Sequence, residues 1–362
     1  MGACASTDVG LFAIFDDACT CGEAINYDRD GAEYYALIVK RSFTWDASGL
    51  AHPIAPQTIV EADVYDGKPG RSAVIFEAEL APRKSRVDVL LAGEIVLSSP
   101  VERAVVRLEM GGQIRKTAVV FGDRVWVPGG FSGLRPSAPR PFARMPITWS
   151  RSFGGVDAES PAHLERRNPV GVGFARREEG AIGKPVPNFE SPDGPLSSWK
   201  DRPVPIGFGP IGRWWPSRVR YAGSYDQAWL DEHFPLLPPD FDDRYFNCAP
   251  DDQQLDAYRP GEAVRLQGMT PEGDTRFILP PIAVPITVLE RGGRVTQATV
   301  IPDTVIIEPG DRRFSAVGRY LHFPRPNVLS IEDVLVGEPW KGWLRARRER
   351  KRYFGRQPRR SA

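Results

Sequence analysis

Between Phe208 and Gln254, proline, glycine and large aromatic residues follow one another so closely that neither a long helix nor a long strand fits. The stretch reads Phe-Gly-Pro-Ile at 208–211, Arg-Trp-Trp-Pro at 213–216 and Ala-Gly-Ser-Tyr-Asp at 222–226. It continues with Leu-Pro-Pro-Asp-Phe-Asp-Asp-Arg-Tyr-Phe at 237–246 and closes on Ala-Pro-Asp-Asp-Gln-Gln at 249–254. Proline removes a backbone donor and glycine opens left-handed conformations, so the path is one of turns. Trp199, Trp214, Trp215, Trp229, Phe241, Tyr245 and Phe246 carry too much apolar area for a solvated linker, since each buries on the order of 150–250 Å². The expectation is an irregular but packed segment that specifies a surface.

Elsewhere proline and glycine, 35 of each among 362 residues, divide the chain into short extended runs. Upstream these fall at 34–43, 72–80, 86–91, 101–110, 113–121, 125–127 and 142–152. Downstream they fall at 263–266, 276–279, 286–291, 295–301, 304–308 and 314–322. Apolar and charged residues alternate over 101–110, as in a sheet with one buried face. Gly111-Gly112 and Gly292-Gly293 supply hairpin turns. The predicted fold is therefore mainly β: antiparallel sheets of sandwich or barrel type, a long irregular Pro/Gly/Trp-rich segment and few short helices. Four regions result: β-rich 1–153, irregular 154–260, β-rich 261–330 and a basic tail over 331–362, the first three forming one integrated unit. A helix is expected near 225–234, opened by a Ser224/Gln227 capping box and stopped by Pro235. It is too short to stand alone, so Trp229 is expected to dock it on the strands. No fixed-period repeat is present.

Chemistry is less legible than structure. A net charge of +1, from 47 Lys and Arg against 46 Asp and Glu, offers no general attraction for polyanions. From residue 341 onward, however, ten Lys and Arg face only Glu349. Such a tail binds nucleic acid, acidic lipid or an acidic partner, or it docks on its own body; Trp340, Trp343 and Leu344 give it one apolar turn. Cys4, Cys19, Cys21 and Cys248 show neither disulfide-scaffold nor zinc spacing and read as free thiols of a cytoplasmic chain. No apolar run approaches the ~20 residues of a membrane span, and Leu11–Phe15 is too short for a signal-peptide core. Met1-Gly2-Ala3-Cys4-Ala5-Ser6 fits a myristoylation pattern, but a pattern so short arises by chance.

Histidines 52, 163, 233 and 322 stand apart, with no Gly-x-Ser-x-Gly elbow or His-Glu-x-x-His pair. Gly171-x-Gly173 lacks the strand–glycine–helix setting of a nucleotide fingerprint. Asp240, Asp242, Asp243, Asp251 and Asp252 form a cluster with catalytic potential. Brought together in space, two of them would serve a β-sandwich hydrolase acting on glycan or nucleic acid. Their spacing is not that of a calcium loop. The simpler reading has Asp242 and Asp243 capping turns or pairing with Arg244, and Asp251 and Asp252 opening a helical turn after Pro250. Arg213, Arg218 and Arg220, interleaved with Trp214, Trp215 and Tyr221, match a protein–protein hot spot, a nucleic-acid clamp or internal cation–π packing.

Taken in order, these blocks resemble the bacterial effector-adaptor family linked to type VI secretion. Val-Asp-Val-Leu at 87–90, Gly-Asp-Arg-Val-Trp at 122–126, Ser-Phe-Gly-Gly-Val-Asp at 152–157 and Arg-Asn-Pro-Val-Gly-Val-Gly-Phe at 167–174 are similar to its further motifs. The resemblance spans roughly residues 30 to 325. The chain departs from it at Arg83-Lys84-Ser85, where a Lys-Pro pair is expected. The resemblance implies a non-enzymatic cytoplasmic adaptor or chaperone that holds a toxin effector and loads it onto the secretion spike (PAAR, VgrG). No cofactor, metal, catalytic residue or nucleic-acid partner is expected. The positions it singles out, as partner-binding or structural, are Arg213, Trp214, Trp215, Arg218, Tyr225, Asp226, Trp229, Asp240, Phe241, Asp242, Arg244, Phe246, Asp251 and Gln253. Arg213, Arg218 and Arg244 lead as surface contacts.

Overall fold

Gly111 and Gly112 take φ of 58° and 68°, the left-handed pair that a tight hairpin needs. They turn Arg103–Met110 back onto Ile114–Phe121, with Met110 opposite Ile114. Gly292 and Gly293 do the same between Val284–Glu290 and Val295–Val300. The computed structural model describes residues 11–130, 133–324, 331–349 and 351–360. The Met1–Ser6 pattern, Cys4 and Arg350 lie outside the described residues. The fold is mainly β, 40% strand and 11% helix, and among the described residues no sheet closes into a barrel.

Three sheets carry most of the strands. The largest runs in the order Gln254–Leu255, Val87–Leu91, Pro302–Glu308, Arg313–His322, Glu33–Trp45 and Cys19–Tyr27, with Ala51–Ile54 also paired to Glu33–Trp45. A second runs Phe189–Glu190, Ile114–Phe121, Arg103–Met110, Ala263–Gln267 and Asp274–Ile278, all antiparallel. The third joins Val295–Val300, Val284–Glu290, Ile331–Val336, Phe12–Ile14 and Arg359–Arg360. Strands from either side of the irregular segment thus share sheets. Arg103–Met110 lies against Ala263–Gln267, and Val87–Leu91 runs parallel to Pro302–Glu308.

The first two sheets meet through a column of rings. Trp45 stacks on Phe277 at 4.5 Å, Phe277 on Phe314 at 4.9 Å, and Phe314 on Phe43 at 5.0 Å. All four are buried, and aromatic pairs at such spacing add to what area burial alone provides.

Four helices are short: α1 (Glu178–Ala181), α2 (Pro216–Val219), α3 (Gln227–Glu232) and α4 (Lys341–Arg348). No helix of the described residues is long and apolar enough to cross a membrane. The expected capping box does not form at α3. Ser224 is occupied elsewhere, its amide and hydroxyl both donating to Asp240 at 2.9 and 2.8 Å. Asp226 caps instead, accepting from the Trp229 amide at 2.9 Å. Several strands escaped the sequence pattern, among them Cys19–Tyr27, Glu94–Val101 and Ile331–Val336.

The basic tail folds back on the chain's own acidic surface. Trp343 and Trp340 of the α4 region meet Phe15 edge-on at 5.0 and 5.2 Å. Arg347 pairs with Glu332 and Asp333, Arg360 with Asp333, and Arg356 and Arg359 with Asp17. Arg359–Arg360 then adds a final strand to Phe12–Ile14.

Candidate functional site

The 208–254 segment is fastened to the sheets by buried polar side chains as much as by rings. Gln253 is fully buried, and its amide nitrogen donates to the carbonyls of Val89 (2.8 Å) and Phe208 (2.9 Å). It ties the end of the segment to the largest sheet and to the segment's own beginning. Gln253→Ala removes both bonds, leaving Phe208 only the Leu91 amide, and a loss of about 1–3 kcal/mol in urea unfolding is expected.

Beside it, the buried Asp88 carboxylate accepts from Lys84 Nζ at 2.5 Å, Asn247 Nδ2 at 2.9 Å and the Cys248 amide at 2.8 Å. Burial opposes ionisation of Asp88, but Lys84 and these donors outweigh it and hold the carboxyl below its ordinary value. Arg218 is also buried. It grips the carbonyls of Ile211 and Tyr245 and pairs with Glu77 at 2.9 Å. Trp215, 2% exposed, stands edge-on to Trp149 at 5.3 Å. Trp149 in turn donates to the Gly209 carbonyl and lies so close to Gly207 that a Cβ there would meet its ring at 2.5 Å.

On this anchored base stands an apolar outcrop. No residue of α3 is buried. Tyr225 is 55% exposed, Leu230 52% and Phe234 64%, with Trp229 half-buried between the two rings. Tyr225 meets Trp229 edge-on at 4.8 Å, and Trp229 meets Phe234 at 5.7 Å. Trp229 Nε1 donates to the Leu236 carbonyl at 2.9 Å, which fixes the indole against its own loop. The expectation that Trp229 docks α3 on the strands is therefore corrected: α3 folds over its own flanking residues and leaves its apolar side outward. Pro238 and Phe241, which follow, are the buried residues of that loop.

A shallow cleft of about 180 Å³ lies nearby, lined by Arg86, Arg218, Tyr221, Arg244, Asn247 and Asp251 among others. Arg220 and Arg244 lie over the Tyr221 ring at 4.6 and 4.4 Å. Of the three arginines expected at the surface, only Arg244 is exposed. Arg213 is half-buried and pairs with Glu77 at 3.0 Å and Asp63 at 3.5 Å. Arg218 is a core cation, because only its guanidinium fork reaches two carbonyls and Glu77 at once.

The five aspartates engage five different partners. Asp240 holds Ser224, Asp242 holds Arg244, Asp243 pairs with Arg83, Asp251 with Arg220, and Asp252 with Lys116. Asp242 also caps the turn Asp243–Phe246, and Asp251–Gln253 is a helical turn after Pro250. The Ser224 donors hold Asp240 below the ordinary carboxylate value, and the Arg244 side chain does the same for Asp242. A general acid requires the opposite shift. Among the described residues, no three His, Cys, Asp or Glu gather as a metal site requires, and Cys19, Cys21 and Cys248 are free, buried thiols.

The positions singled out by sequence thus separate into two groups. Trp215, Arg218, Phe241 and Gln253 are buried, with Phe246 and Arg213 half-buried. Trp214, Tyr225, Asp226, Asp240, Arg244 and Asp251 face outward, while Trp229 and Asp242 are half-exposed. Leu230 and Phe234 were not anticipated. Phe234 had a signal, a large ring placed directly against the helix-stopping Pro235, where no further turn is available to cover it.

Residues 30–319 match the family described as an uncharacterized protein conserved in bacteria (DUF2169), and the chain belongs to that family. The match takes in the anchored segment and the outcrop and ends before the basic tail. No curated protein and no solved structure matches the chain.

Proposed function

We propose that this chain is a non-catalytic adaptor that captures a partner protein on the Tyr225–Trp229–Phe234 face. The observation that carries the reading is a cluster of large aromatic side chains, exposed Tyr225 and Phe234 on either side of half-buried Trp229, at a helix with no buried residue, while the segment beneath it is fastened by buried hydrogen bonds. Exposing such rings is costly for a free protein unless something covers them. Rigid aromatic anchors lose little entropy on binding and dominate interface energetics. The motif resemblance supplies the class of partner: a toxin effector, held for loading onto a type VI secretion spike. Separate engagement of the five aspartates weighs against the hydrolytic alternative.

The test is affinity purification of the chain from its native bacterium, with wild type and Trp229→Ala/Phe234→Ala compared by quantitative mass spectrometry. A toxin effector or spike protein is expected with wild type. It should fall more than tenfold in the double variant, since hot-spot truncations cost about 2 kcal/mol or more. Melting should change little, because truncating Trp229 removes one hydrogen bond and partial packing worth about 1–2 kcal/mol. Equal recovery with both proteins refutes this use of the face. So does a hydrolytic turnover by purified protein that Asp242→Asn abolishes.

A further inference from the structure

Charge around the outcrop is mostly negative, with Arg29 the cation of the adjoining loop. No Lys or Arg occurs from Ala222 to Phe241, whereas Asp226, Asp231, Glu232 and Asp240 all do. The 28–31 loop adds Asp28 and Asp30. It is brought alongside because Arg29 donates to the Phe241 carbonyl, and a Cβ on Gly31 would lie 3.7 Å from Leu236 Cδ1.

These six carboxylates differ from the acidic residues next to them in the segment and from several on the neighbouring sheet. Asp242, Asp243, Asp251 and Asp252 each pair with a cation, as do Asp256, Glu109 and Asp274. Among the described residues, the six around the outcrop enter no ion pair. Their contacts are with neutral donors: Asp226 takes the Trp229 amide, Asp231 takes Gln227, Asp240 takes Ser224, and Asp28 takes the amides of its own loop. Such bonds leave the negative charge uncompensated. Exposed Trp and Tyr faces also attract cations through the ring quadrupole. Rim and rings therefore select the same chemistry.

Resting on the adaptor reading, we infer that the outcrop receives a cationic, apolar segment of the partner protein, one whose Lys or Arg side chains lie over Tyr225 and Trp229 and reach the unpaired carboxylates while its apolar residues cover Leu230 and Phe234. A phosphate-bearing ligand would meet repulsion from the same rim. Carboxylates without a paired cation present negative potential to solvent, which favours a cationic partner and speeds its encounter.

The experiment uses the full chain and two labelled amphipathic peptides, one of Lys and Leu and one of Gln and Leu in the same order, read by fluorescence anisotropy. Wild type is expected to bind the Lys peptide at least tenfold more tightly than the Gln peptide. Raising salt from about 0.1 to about 1 M, which shortens the screening length from about 10 to about 3 Å, should erase most of that preference. Trp229→Ala/Phe234→Ala and Asp231→Asn/Glu232→Gln should each weaken the Lys peptide at least fivefold. Asp256→Asn/Asp274→Asn, which removes paired carboxylates elsewhere, should leave it unchanged.

Equal binding of the two peptides overturns the inference, as does loss of binding in the paired-carboxylate control alone. Self-association of the peptide-free chain that disappears both in the aromatic variant and on removal of residues 341–362 also overturns it, because the occupant is then a second copy. If the peptides fail yet the aromatic variant still loses its effector in the native purification, the cationic inference falls and the adaptor reading stands. If the Lys peptide binds as expected but no secretion partner is ever recovered, the chemistry of the site is supported and the adaptor reading falls.

Discussion

Lys84→Met will destabilise the protein by about 3–5 kcal/mol, the range for removing one partner of a buried ion pair. Lys84 and Asp88 are both buried and lie 2.5 Å apart. The methionine would fill the space of the lysine stem but leave Asp88 charged and fully buried, with only neutral donors. The loss has a pH signature. In the wild type the folded-state value of Asp88 is lowered, so its contribution is present at neutral pH and is lost as pH falls through that lowered value. In the variant, burial is no longer opposed by Lys84, and the folded-state value rises above that of the unfolded chain. The penalty is then full at neutral pH and shrinks on acidification, as Asp88 takes up a proton. Urea unfolding at neutral pH and near pH 4 measures both. A gap between the proteins that widens on acidification would show that Asp88 is not the group left unpaired.

Trp215→Ala is expected to cost about 3–5 kcal/mol, the usual price of a large aromatic truncated in a core that cannot collapse. Trp215 is buried against Trp149, Ala73 and Val170, with Ile211 packed on the cluster. The cluster joins the 149–174 motifs to the 208–254 segment, and backbone contacts limit its collapse. Trp149 is pinned through its hydrogen bond to Gly209 and its contact with Gly207. The informative comparison is with Trp229→Ala. Two tryptophans in one proline-rich segment should differ severalfold in cost, one holding the segment down and one half-buried above it. Similar melting of the two variants would contradict that division.

Local chemistry made much of the β architecture readable. The glycine pairs at 111–112 and 292–293 could only be hairpin turns, because both positions of such a turn need φ above zero. Alternation over 101–110 indicated a strand with one buried face, and in the structure Val106, Leu108 and Met110 form that face. The irregular segment was recognisable because its rings demanded burial and its prolines forbade regular structure. By contrast, Cys19–Tyr27 carries Gly22 and Glu23 and has little strand propensity of its own. It is a strand because Glu33–Trp45 offers an antiparallel partner along its whole length, from Cys19 opposite Arg41 to Tyr27 opposite Glu33. The same holds for the cap of α3. Ser224 and Asp226 are both competent, and the choice fell to Asp226 because Asp240, sixteen positions away, takes up Ser224.

By itself, then, the sequence determined the fold class, the turns and the presence of an ordered aromatic segment, since periodicity, proline and glycine act over a few residues. Which of its aromatics and arginines point inward was decided only by the tertiary structure. Arg218 and Arg244 are alike in sequence, yet one is buried on Glu77 and the other lies open on Asp242. Trp215 and Trp229 divide in the same way, one beneath the segment and one on its outcrop. Burial depends on what the rest of the chain brings alongside: Glu77, Trp149 and Val89 are all distant in sequence from the residues they hold. The unpaired acidic rim around Trp229 is likewise a property of the folded surface, because an ion pair exists only where folding places a cation within reach.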